Sequence, residues 1–496
     1  MSNERRSGIL LHPTSLPGNR GIGTLGAEAL LFADFLAAAG QTLWQVLPLA
    51  PPGCGNSPYS AFSAFAGNPL LIDLDILADE GDLDPLELPA FASSERIDFT
   101  AVEKVKLPLL RKAAERFFSL PENERLHDFW RFCDSTFWLH DYALFGALKA
   151  HFDGKPWNKW PEKLRKRDLA ECGCFSALLG SEIGFQKYMQ WQFSRQWQRV
   201  KSYANGRGIL LIGDAPIFVA HDSADVWCNQ HIFNLDDNGI PINVAGVPPD
   251  YFSRTGQRWG NPLYRWDVLA ADGYGWWIAR LKNDFAIYDI LRIDHFRGFE
   301  SHWEIPAREK TAINGSWVKG PGYELFEALK GAMGELPLIA EDLGVITPEV
   351  EQLRDRCGFP GMRILQFAFD SGADNAYLPH NHSYNSIVYT GTHDNDTTKG
   401  WFDSLDNGQR QHICEYLNSA EEGVVDSLVR AAIASVARFA IIPMQDILKL
   451  PASGRMNIPG VADNNWGWRL LPGYGDEADH SRLKELSILY NRFSQQ

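Results

Sequence analysis

Three acidic residues stand where an apolar, strand-like run meets a polar loop, and paired carboxylates are what glycosidic-bond chemistry requires. Asp294 ends the run LRID, Glu341 follows the run LIA, and Asp394 lies in the polar segment THDND. The carboxyl ends of parallel strands meet at one face of a barrel. The sequence therefore predicts that these three carboxylates converge in one site.

Arg292 precedes Asp294 by two positions, and residues two apart on a strand face the same side. A fixed guanidinium beside Asp294 favours the ionised carboxylate. An ionised, oriented carboxylate is the form that attacks an anomeric carbon as a nucleophile. A purely structural Arg–Asp pair inside a barrel would give the same pattern, so this pair alone leaves both interpretations open.

Glu341 has different surroundings, because an apolar run precedes it and a second carboxylate, Asp342, follows it. Partial burial and a neighbouring like charge both favour the protonated carboxyl, which suits a general acid. Strand alternation leaves open whether Glu341 or Asp342 points into the site. A salt bridge at the barrel rim is the alternative for either residue.

The segment 393–396, His-Asp-Asn-Asp, is dense in side chains that can bond sugar hydroxyls. Asp394 could bind two vicinal hydroxyls through its two oxygens and hold a sugar ring in a distorted shape. Asp and Asn also favour turns and helix N-caps, which is the alternative for this segment. The spacing of a calcium loop is absent, so we predict no metal site and no cofactor.

Eight short apolar runs ending in polar residues must position these groups. They span residues 8–11, 42–47, 208–212, 288–293, 338–340, 362–367, 386–389 and 439–442. Such runs are typical of strands buried on both faces. With the helix-like stretches between them, they predict an α/β fold, a (β/α)8 TIM barrel with large loop insertions. The alternative is an open doubly wound sheet. That fold would be expected to have a Gly-rich phosphate loop after an early strand, and the sequence has none.

Two long insertions interrupt the predicted barrel, which comprises residues 1–74 and 185–496. Residues 75–184 carry apolar side chains at helical spacing and are predicted to form a mainly helical subdomain. Residues 215–275 are rich in Gly, Pro, Asn and Asp, and we expect a loop-rich insertion after the third strand. Insertions at the catalytic face of a barrel usually shape the substrate cleft.

The amino-acid composition limits the classes of partner that the protein is expected to bind. The 496 residues carry 47 basic and 62 acidic side chains, a net charge of −15, which argues against nucleic-acid and anionic-membrane partners. The seven cysteines are scattered without a CxxC pair, which indicates free thiols in a reducing compartment. The polar N-terminus is not followed by a signal-peptide core, and no stretch of about eighteen apolar residues appears. These features predict a cytoplasmic location.

The order of the candidate residues is more specific than any one of them. Arg-x-Asp at the fourth strand, Glu at the fifth and His-Asp at the seventh is the pattern of the α-amylase superfamily. Longer motifs accompany it: GILLHPTSLPGNRGIGTLG (8–26), GNSPYSAFSAFAGNP (55–69), GVPPDYFSRTGQRWGNP (246–262), LRIDHFRGF (291–299), IAEDLGVITPEV (339–350), YTGTHDNDTTKGW (389–401) and RMNIPGVADNNWGWR (455–469). From about residue 8 to 470 the chain resembles the bacterial 4-α-glucanotransferases, also called amylomaltases or disproportionating enzymes.

The resemblance implies roles for particular residues. Asp294 corresponds to the family's nucleophile, Glu341 to its acid/base, and Asp394 to its third, transition-state-stabilising carboxylate. Matching substrate-binding positions are Arg292, His393, Tyr59, Asp214, Gln257, Trp259, Asp342, Asp370, Asn464 and Trp466. The loop at residues 248–253 is expected to fold over the cleft. Many bacterial members carry Tyr where this chain has Cys54, which puts an outlying aromatic sugar contact in doubt.

The resemblance also implies substrates and architecture. We expect a barrel without a C-terminal β-sandwich domain, acting on α-1,4-glucans: maltooligosaccharides, amylose and glycogen fragments. The expected reaction is a retaining transfer through a glycosyl–Asp294 intermediate. An α-amylase-like maltodextrin hydrolase would use the same carboxylates and is the alternative. A non-catalytic maltodextrin-binding protein is disfavoured, because all three carboxylates are present.

Overall fold

The computed structural model describes residues 4–249, 253–474 and 477–493. Its strands, in chain order, are β1 (Arg6–Leu10), β2 (Leu43–Gln45), β3 (Leu210–Pro216), β4 (Asn243–Val247), β5 (Gln257–Pro262), β6 (Ile290–Asp294), β7 (Ser301–Pro306), β8 (Ser316–Lys319), β9 (Leu338–Ala340), β10 (Gly361–Ile364), β11 (Ser386–Tyr389) and β12 (Phe439–Pro443). Eight of them form a closed barrel in the order β1, β2, β3, β6, β9, β10, β11 and β12. These eight strands coincide with the eight predicted apolar runs, so the barrel prediction is confirmed.

The barrel strands pair in parallel and are buried along almost their whole length. Apolar residues on alternate positions fill the barrel interior and the layer beneath the helices, which is why the sequence reads as near-continuous apolar runs. Parallel pairing also brings the carboxyl ends of all eight strands to one face. The register between β3 and β6 sets Asp214 opposite Arg292 and Pro216 opposite Asp294.

The helices, in chain order, are α1 (Ala27–Ala38), α2 (Leu74–Asp79), α3 (Phe99–Ser119), α4 (Glu124–Ser135), α5 (Leu139–His151), α6 (Glu162–Arg165), α7 (Leu169–Leu178), α8 (Gly180–Asn205), α9 (Ala224–Cys228), α10 (Trp266–Ala271), α11 (Gly275–Ile287), α12 (Tyr323–Met333), α13 (Pro348–Cys357), α14 (Thr398–Ser404), α15 (Asn407–Leu417), α16 (Val424–Ala434), α17 (Met444–Ile447) and α18 (Glu477–Leu489). No helix in the described part of the chain is long and apolar enough to cross a membrane.

Helices α2 to α8 lie between β2 and β3, in the segment expected to be mainly helical. The expected subdomain boundary at residue 184 falls inside α8, which continues without a break to Asn205. This helix packs against α3, α4 and α5 and also against α1 and β3. It therefore belongs to the insertion and to the barrel at once, which a boundary drawn from periodicity does not reveal.

The segment 215–275 is more regular than its composition suggested. It holds β4 and β5, which join β7 and β8 in an antiparallel sheet of order β5-β4-β7-β8. The β4–β5 pairing includes a register shift between Val244 and Gly246. Glycine, proline and asparagine obscured these short strands in the sequence, and β4 is placed between β5 and a strand that lies beyond β6, namely β7.

Candidate active site

Strand β6 presents Arg292 and Asp294 at the carboxyl end of the barrel. Arg292 is buried, and its Nη1 donates to both oxygens of Asp214 at 2.8 and 2.7 Å. Its Nη2 lies 2.9 Å from Oδ1 of Asp294. Burial raises the pKa of Asp214 to about 6 against the lowering effect of the guanidinium. Arg292 is thus fixed from one side by Asp214 and holds Asp294 on the other, while the Asp294 side chain stays 32% exposed.

Glu341 follows β9 directly and lies beside Asp294. Its Oε2 accepts a hydrogen bond from the backbone N–H of His295 at 2.6 Å, and its Oε1 accepts one from Leu343 at 2.9 Å. Burial, followed by the negative charge of Asp294, raises the pKa of Glu341 to about 8, although Arg292 and the two N–H groups act in the opposite direction. The carboxyl is therefore oriented, and it holds its proton to higher pH than an ordinary glutamate.

Asp342 points away from this pair, which answers the question that strand alternation left open. Its carboxylate is 3% exposed and forms an ion pair with Arg354. Its Oδ1 also accepts the backbone N–H of Met362 at 2.6 Å, and Arg363 lies 3.7 Å from Oδ2. The expected sugar contact by Asp342 is not supported, since both oxygens are engaged in joining β9, β10 and α13.

Asp394 follows β11, and its side chain is 48% exposed. Its Oδ1 accepts a hydrogen bond from Nδ2 of Asn457 at 2.6 Å and lies 3.4 Å from Nε2 of His393. Its backbone carbonyl accepts from Nη2 of Arg455 at 2.6 Å. The helix that follows is capped by Thr397 rather than by this segment, so the N-cap alternative does not apply to Asp394.

Tyr59, His393 and Trp466 form an aromatic wall next to these groups. The rings of Tyr59 and His393 stack at 5.0 Å with an angle of 17°, and Trp466 lies 5.8 Å from each. The Tyr59 hydroxyl donates to Oδ2 of Asp214 at 2.7 Å. Tyr59 therefore joins the aromatic wall to the Asp214–Arg292–Asp294 chain of polar contacts.

Strand β5 contributes Gln257 and Trp259 from the antiparallel sheet. Nε1 of Trp259 donates to Oε1 of Gln257 at 3.1 Å. The Trp259 ring is 39% exposed and meets the His295 ring edge to face at 4.8 Å. The sheet thus brings an exposed aromatic face close to the residue that binds Glu341.

Two predicted substrate-binding residues are not joined to this network by contacts among the described residues. Asp370 is exposed in the loop after β10 and accepts hydrogen bonds from Ser371 and Asn375. Asn464 is exposed, and its carbonyl accepts from Arg96. Of the expected lid, residues 250–252 lie outside the described part of the chain, and so does the side chain of Cys54.

Sequence reasoning missed two residues that contact the candidate carboxylates, His295 and Asn457. His295 has φ 54°, in the left-handed region, and this turn aims its N–H at Glu341. Asn457 comes from the loop after β12, far from Asp394 in sequence. Both stand inside motifs quoted above, LRIDHFRGF and RMNIPGVADNNWGWR, and that is the signal that could have drawn attention to them.

Across residues 4–249, 253–474 and 477–493, no cluster of three or more His, Cys, Asp or Glu side chains is arranged to hold a metal ion. The site offers two carboxyl groups in different surroundings: Asp294 is paired with Arg292, and the pKa of Glu341 is raised to about 8. A third carboxylate and flat aromatic faces flank them. This combination fits cleavage of a glycosidic bond and binding of pyranose rings.

Comparison with known proteins gives the same assignment. A family profile described as 4-alpha-glucanotransferase matches residues 11–473. The chain is 50% identical to the 4-alpha-glucanotransferase of Thermus thermophilus, over 98% of this chain and 99% of that protein. It is also 50% identical to the Synechocystis enzyme of the same description, covering 99% of each. The solved structure of the Streptococcus agalactiae amylomaltase in complex with acarbose superposes with a TM-score of 0.96 at 40% identity, covering 99% of this chain and 100% of that one.

Proposed function

This chain belongs to the 4-alpha-glucanotransferase family and is an enzyme of that activity, and we propose that it transfers an α-1,4-glucan segment from a donor maltodextrin to the 4-hydroxyl of an acceptor glucan or glucose. The mechanism we infer is a retaining double displacement through a covalent glycosyl–Asp294 intermediate. One observation carries this mechanism: Arg292 binds Asp294, while burial and the charge of Asp294 raise the pKa of Glu341 to about 8. A carboxylate paired with a guanidinium suits the role of nucleophile, and a carboxyl whose pKa is raised suits the role of acid.

In the first half-reaction, Asp294 attacks the anomeric carbon and the bond to the leaving oxygen breaks. Glu341 gives its proton to that oxygen, so the released glucan fragment leaves as an alcohol. Arg292 keeps Asp294 oriented, because Asp214 fixes the guanidinium from behind. The developing positive charge on the sugar ring is favoured by the negative charges of Asp294 and Asp394.

In the second half-reaction, Glu341 is ionised and acts as a base. It takes the proton of the acceptor 4-hydroxyl, whose oxygen attacks the anomeric carbon and displaces Asp294. Two inversions give net retention. A covalent intermediate is necessary for transfer, because it preserves the glycosyl group until the first fragment has left and an acceptor has taken its place.

The surrounding residues are proposed to bind the sugars. Asp394, held by Asn457 and facing the cleft, would bind two hydroxyls of the ring that is distorted. Tyr59, Trp466 and Trp259 offer aromatic faces for neighbouring rings. The amylomaltase of Streptococcus agalactiae was solved with acarbose, which supports an oligosaccharide ligand for this cleft. Gln257, Asp370 and Asn464 stay predicted sugar contacts.

Incubation with pure maltotriose tests the proposal. Transfer exchanges one glycosidic bond for another, so longer dextrins and glucose appear while the number of reducing ends stays constant. Hydrolysis adds one reducing end for each bond cleaved and gives only shorter products. Chromatography of the dextrins together with a reducing-end assay separates these outcomes, and a steady rise in reducing ends without longer products would identify a hydrolase instead.

A variant tests the assignment of the nucleophile. Asp294→Ala removes the attacking carboxylate and leaves the aromatic wall and Asp394 in place. We expect turnover to be abolished while maltodextrin binding, measured by calorimetry, persists. Normal turnover in this variant would refute the covalent intermediate.

A further inference from the structure

Behind the Asp214 strand lies a buried charged cluster that the proposed reaction does not use. It consists of Arg280 and Asp284 on α11 and Asp225 on α9. All three side chains are almost inaccessible to solvent, with Arg280 2% exposed. Nε of Arg280 lies 3.9 Å from Oδ2 of Asp284. Buried charge is expensive unless it is compensated, so the contacts of this cluster need an explanation.

Arg280 reaches the carboxyl end of β3, two residues beyond Asp214. Its Nη2 donates to the carbonyl of Pro216 at 2.6 Å, and its Nη1 lies 3.5 Å from the carbonyl of Ile217. The same Ile217 carbonyl accepts from the hydroxyl of Tyr264 at 2.9 Å. Pro216 is the residue that pairs with Asp294 across β3 and β6. The guanidinium thus fixes the backbone of Pro216 and Ile217. This backbone follows Asp214 in the chain, and it includes the residue that pairs with Asp294.

Asp225 makes the matching connection to the loop that carries Tyr59. Its Oδ2 accepts the backbone N–H of Ala64 at 2.8 Å. Burial raises the pKa of Asp225 to about 6, and the charge of Arg280 opposes that rise. The cluster therefore holds two segments at once, the end of β3 and the loop after β2. Those segments bring the Tyr59 hydroxyl to Asp214.

A cavity adjoins both the cluster and the site. It has a volume of about 50 Å³, and its lining includes Tyr59, Asp214, Arg280 and Asp284. A cavity of this size has room for a water molecule or two. Asp214 is held by Arg292 and by the Tyr59 hydroxyl, and the backbone that follows Asp214 is held by Arg280.

We propose that Arg280 is a positioning residue for the nucleophile, acting through Pro216 and Ile217 on Asp214 and, with Asp225, on the loop of Tyr59. The proposal rests on the proposed role of Asp294. Its effect passes from Arg280 to Asp214, from Asp214 to Arg292 and from Arg292 to Asp294. Arg280 contacts no reacting atom, so its removal should change the rate of the chemical steps more than the binding of glucan.

Arg280→Met is the main test, with maltotriose as the substrate. We expect kcat to fall about tenfold to hundredfold, as for a small misplacement of a reacting group, with little change in KM. The acid limb of the kcat/KM profile should move to higher pH, because a loosened Arg292 lowers the pKa of Asp214 less. Arg280→Lys keeps the charge but lacks the planar fork whose two nitrogens reach the two carbonyls, so it should recover part of the rate. If Arg280→Met does not fold, Arg280→Lys serves as the test variant. We then expect a smaller shift of the acid limb in the same direction.

Arg492 provides the matched control. It is also 2% exposed and donates to backbone carbonyls, among them those of Ser435 and Ala437 at 2.9 and 3.0 Å. It also binds the carbonyl of Arg6 at the first residue of β1, the end of the barrel opposite the site. Arg492→Met should lower Tm without moving kcat or the acid limb at temperatures where it is folded. Equal effects of the two Met variants on kcat and on the limb would overturn the proposal.

Asp294→Asn belongs in the same series, because it separates failure of this inference from failure of the proposed function. If Asp294→Asn retains turnover, the nucleophile assignment is wrong. If Asp294→Asn is inactive while Arg280→Met has the wild-type kcat and acid limb, only the role of Arg280 is wrong. The expected result is loss of turnover in Asp294→Asn and a shifted limb in Arg280→Met.

Discussion

The backbone N–H of His295 donates to Oε2 of Glu341 at 2.6 Å, so the residue after the proposed nucleophile orients the proposed acid. This geometry depends on the left-handed turn at His295, with φ 54°. Hydrogen bonds to a carboxylate usually favour its ionised form. Here the burial of Glu341 and the charge of Asp294 outweigh them and raise its pKa to about 8. The two N–H groups therefore orient Glu341 while its pKa stays above the ordinary value.

A first prediction concerns the alkaline limb of activity. Glu341 must carry a proton to release the first glucan fragment, so we expect kcat/KM on maltotriose to fall as the pH rises through about 8. A donor with a good leaving group, such as α-maltotriosyl fluoride, needs no proton at this step. Its initial rate of fluoride release should therefore lack that limb. The same alkaline limb for both donors would contradict the assignment of Glu341 as general acid.

A second prediction concerns stability. The folded-state pKa of Glu341 is raised to about 8, above its unfolded value, so the folded protein binds the extra proton between these two values. Glu341 therefore destabilises the folded protein least at low pH. This destabilisation grows as the pH rises towards about 8 and stays constant at higher pH. Glu341→Gln has no charge to bury, so its Tm relative to the wild type should rise with pH across this window.

Calorimetry at acidic, neutral and alkaline pH measures that difference. Replacement of one oxygen by an amide alters the hydrogen bonds from His295 and Leu343, but that cost is independent of pH and cancels when the differences are compared. A Tm difference that stays constant across the window would show that Glu341 is ionised at neutral pH in the folded protein. The proposed acid role would then lose its physical basis.

The barrel was predictable because its strands are buried on both faces and follow the chain. Residues 288–293 and 338–340 read as apolar runs, and each ends at the carboxylate that the structure places in the site. The spacing of Arg292 and Asp294 was equally readable, since a strand carries both to one side. Local periodicity was therefore enough to predict where these two strands end and in which order they occur.

Contacts between distant segments were not predictable in this way. Asp342 differs from Glu341 by one position, and only the fold shows that Arg354 and the backbone of Met362 hold its carboxylate away from the site. Asn457 and Asp394 meet because two loops of the barrel face converge. Strand β4 escaped detection because one of its two partners, β7, lies beyond β6. In each case the deciding interaction joins residues that no local pattern relates.

A third prediction concerns Tyr59, whose hydroxyl donates to Asp214 at 2.7 Å. This hydrogen bond lowers the pKa of Asp214, which burial raises to about 6. Tyr59→Phe should therefore raise that pKa further and weaken the hold of Asp214 on Arg292 at acidic pH. We expect kcat/KM to fall most on the acid side of the profile, with a loss of stability of about 1 kcal/mol.

Tyr188→Phe is the matched control for Tyr59→Phe. The hydroxyl of Tyr188 also donates to a carboxylate, Asp82, at 2.7 Å, but it lies in the helical insertion. Its loss should lower Tm to a similar extent and leave the pH profile unchanged. An unchanged acid limb in Tyr59→Phe would mean that the Tyr59 hydroxyl is a stabilising contact alone.

A fourth prediction concerns Asn457, which donates to Asp394 at 2.6 Å. Without this bond Asp394, a half-exposed side chain, keeps its 3.4 Å contact with Nε2 of His393 but is held less firmly towards the ring that it is proposed to distort. Ring distortion is completed in the transition state, so Asn457→Ala should lower kcat about tenfold and change KM little. Affinity for acarbose should fall in parallel with kcat/KM if this inhibitor is bound in a distorted form.

Asn465→Ala separates this effect from a general loosening of the loop. Asn465 stands in the same segment, but its amide binds only backbone groups of Ile458 and Val461. Its loss removes support for the loop and leaves the Asn457–Asp394 bond in place. The Asn457 variant should therefore lose more kcat than the Asn465 variant at equal Tm. Equal losses would assign the effect to the loop, and Asp394 would then need no orienting partner.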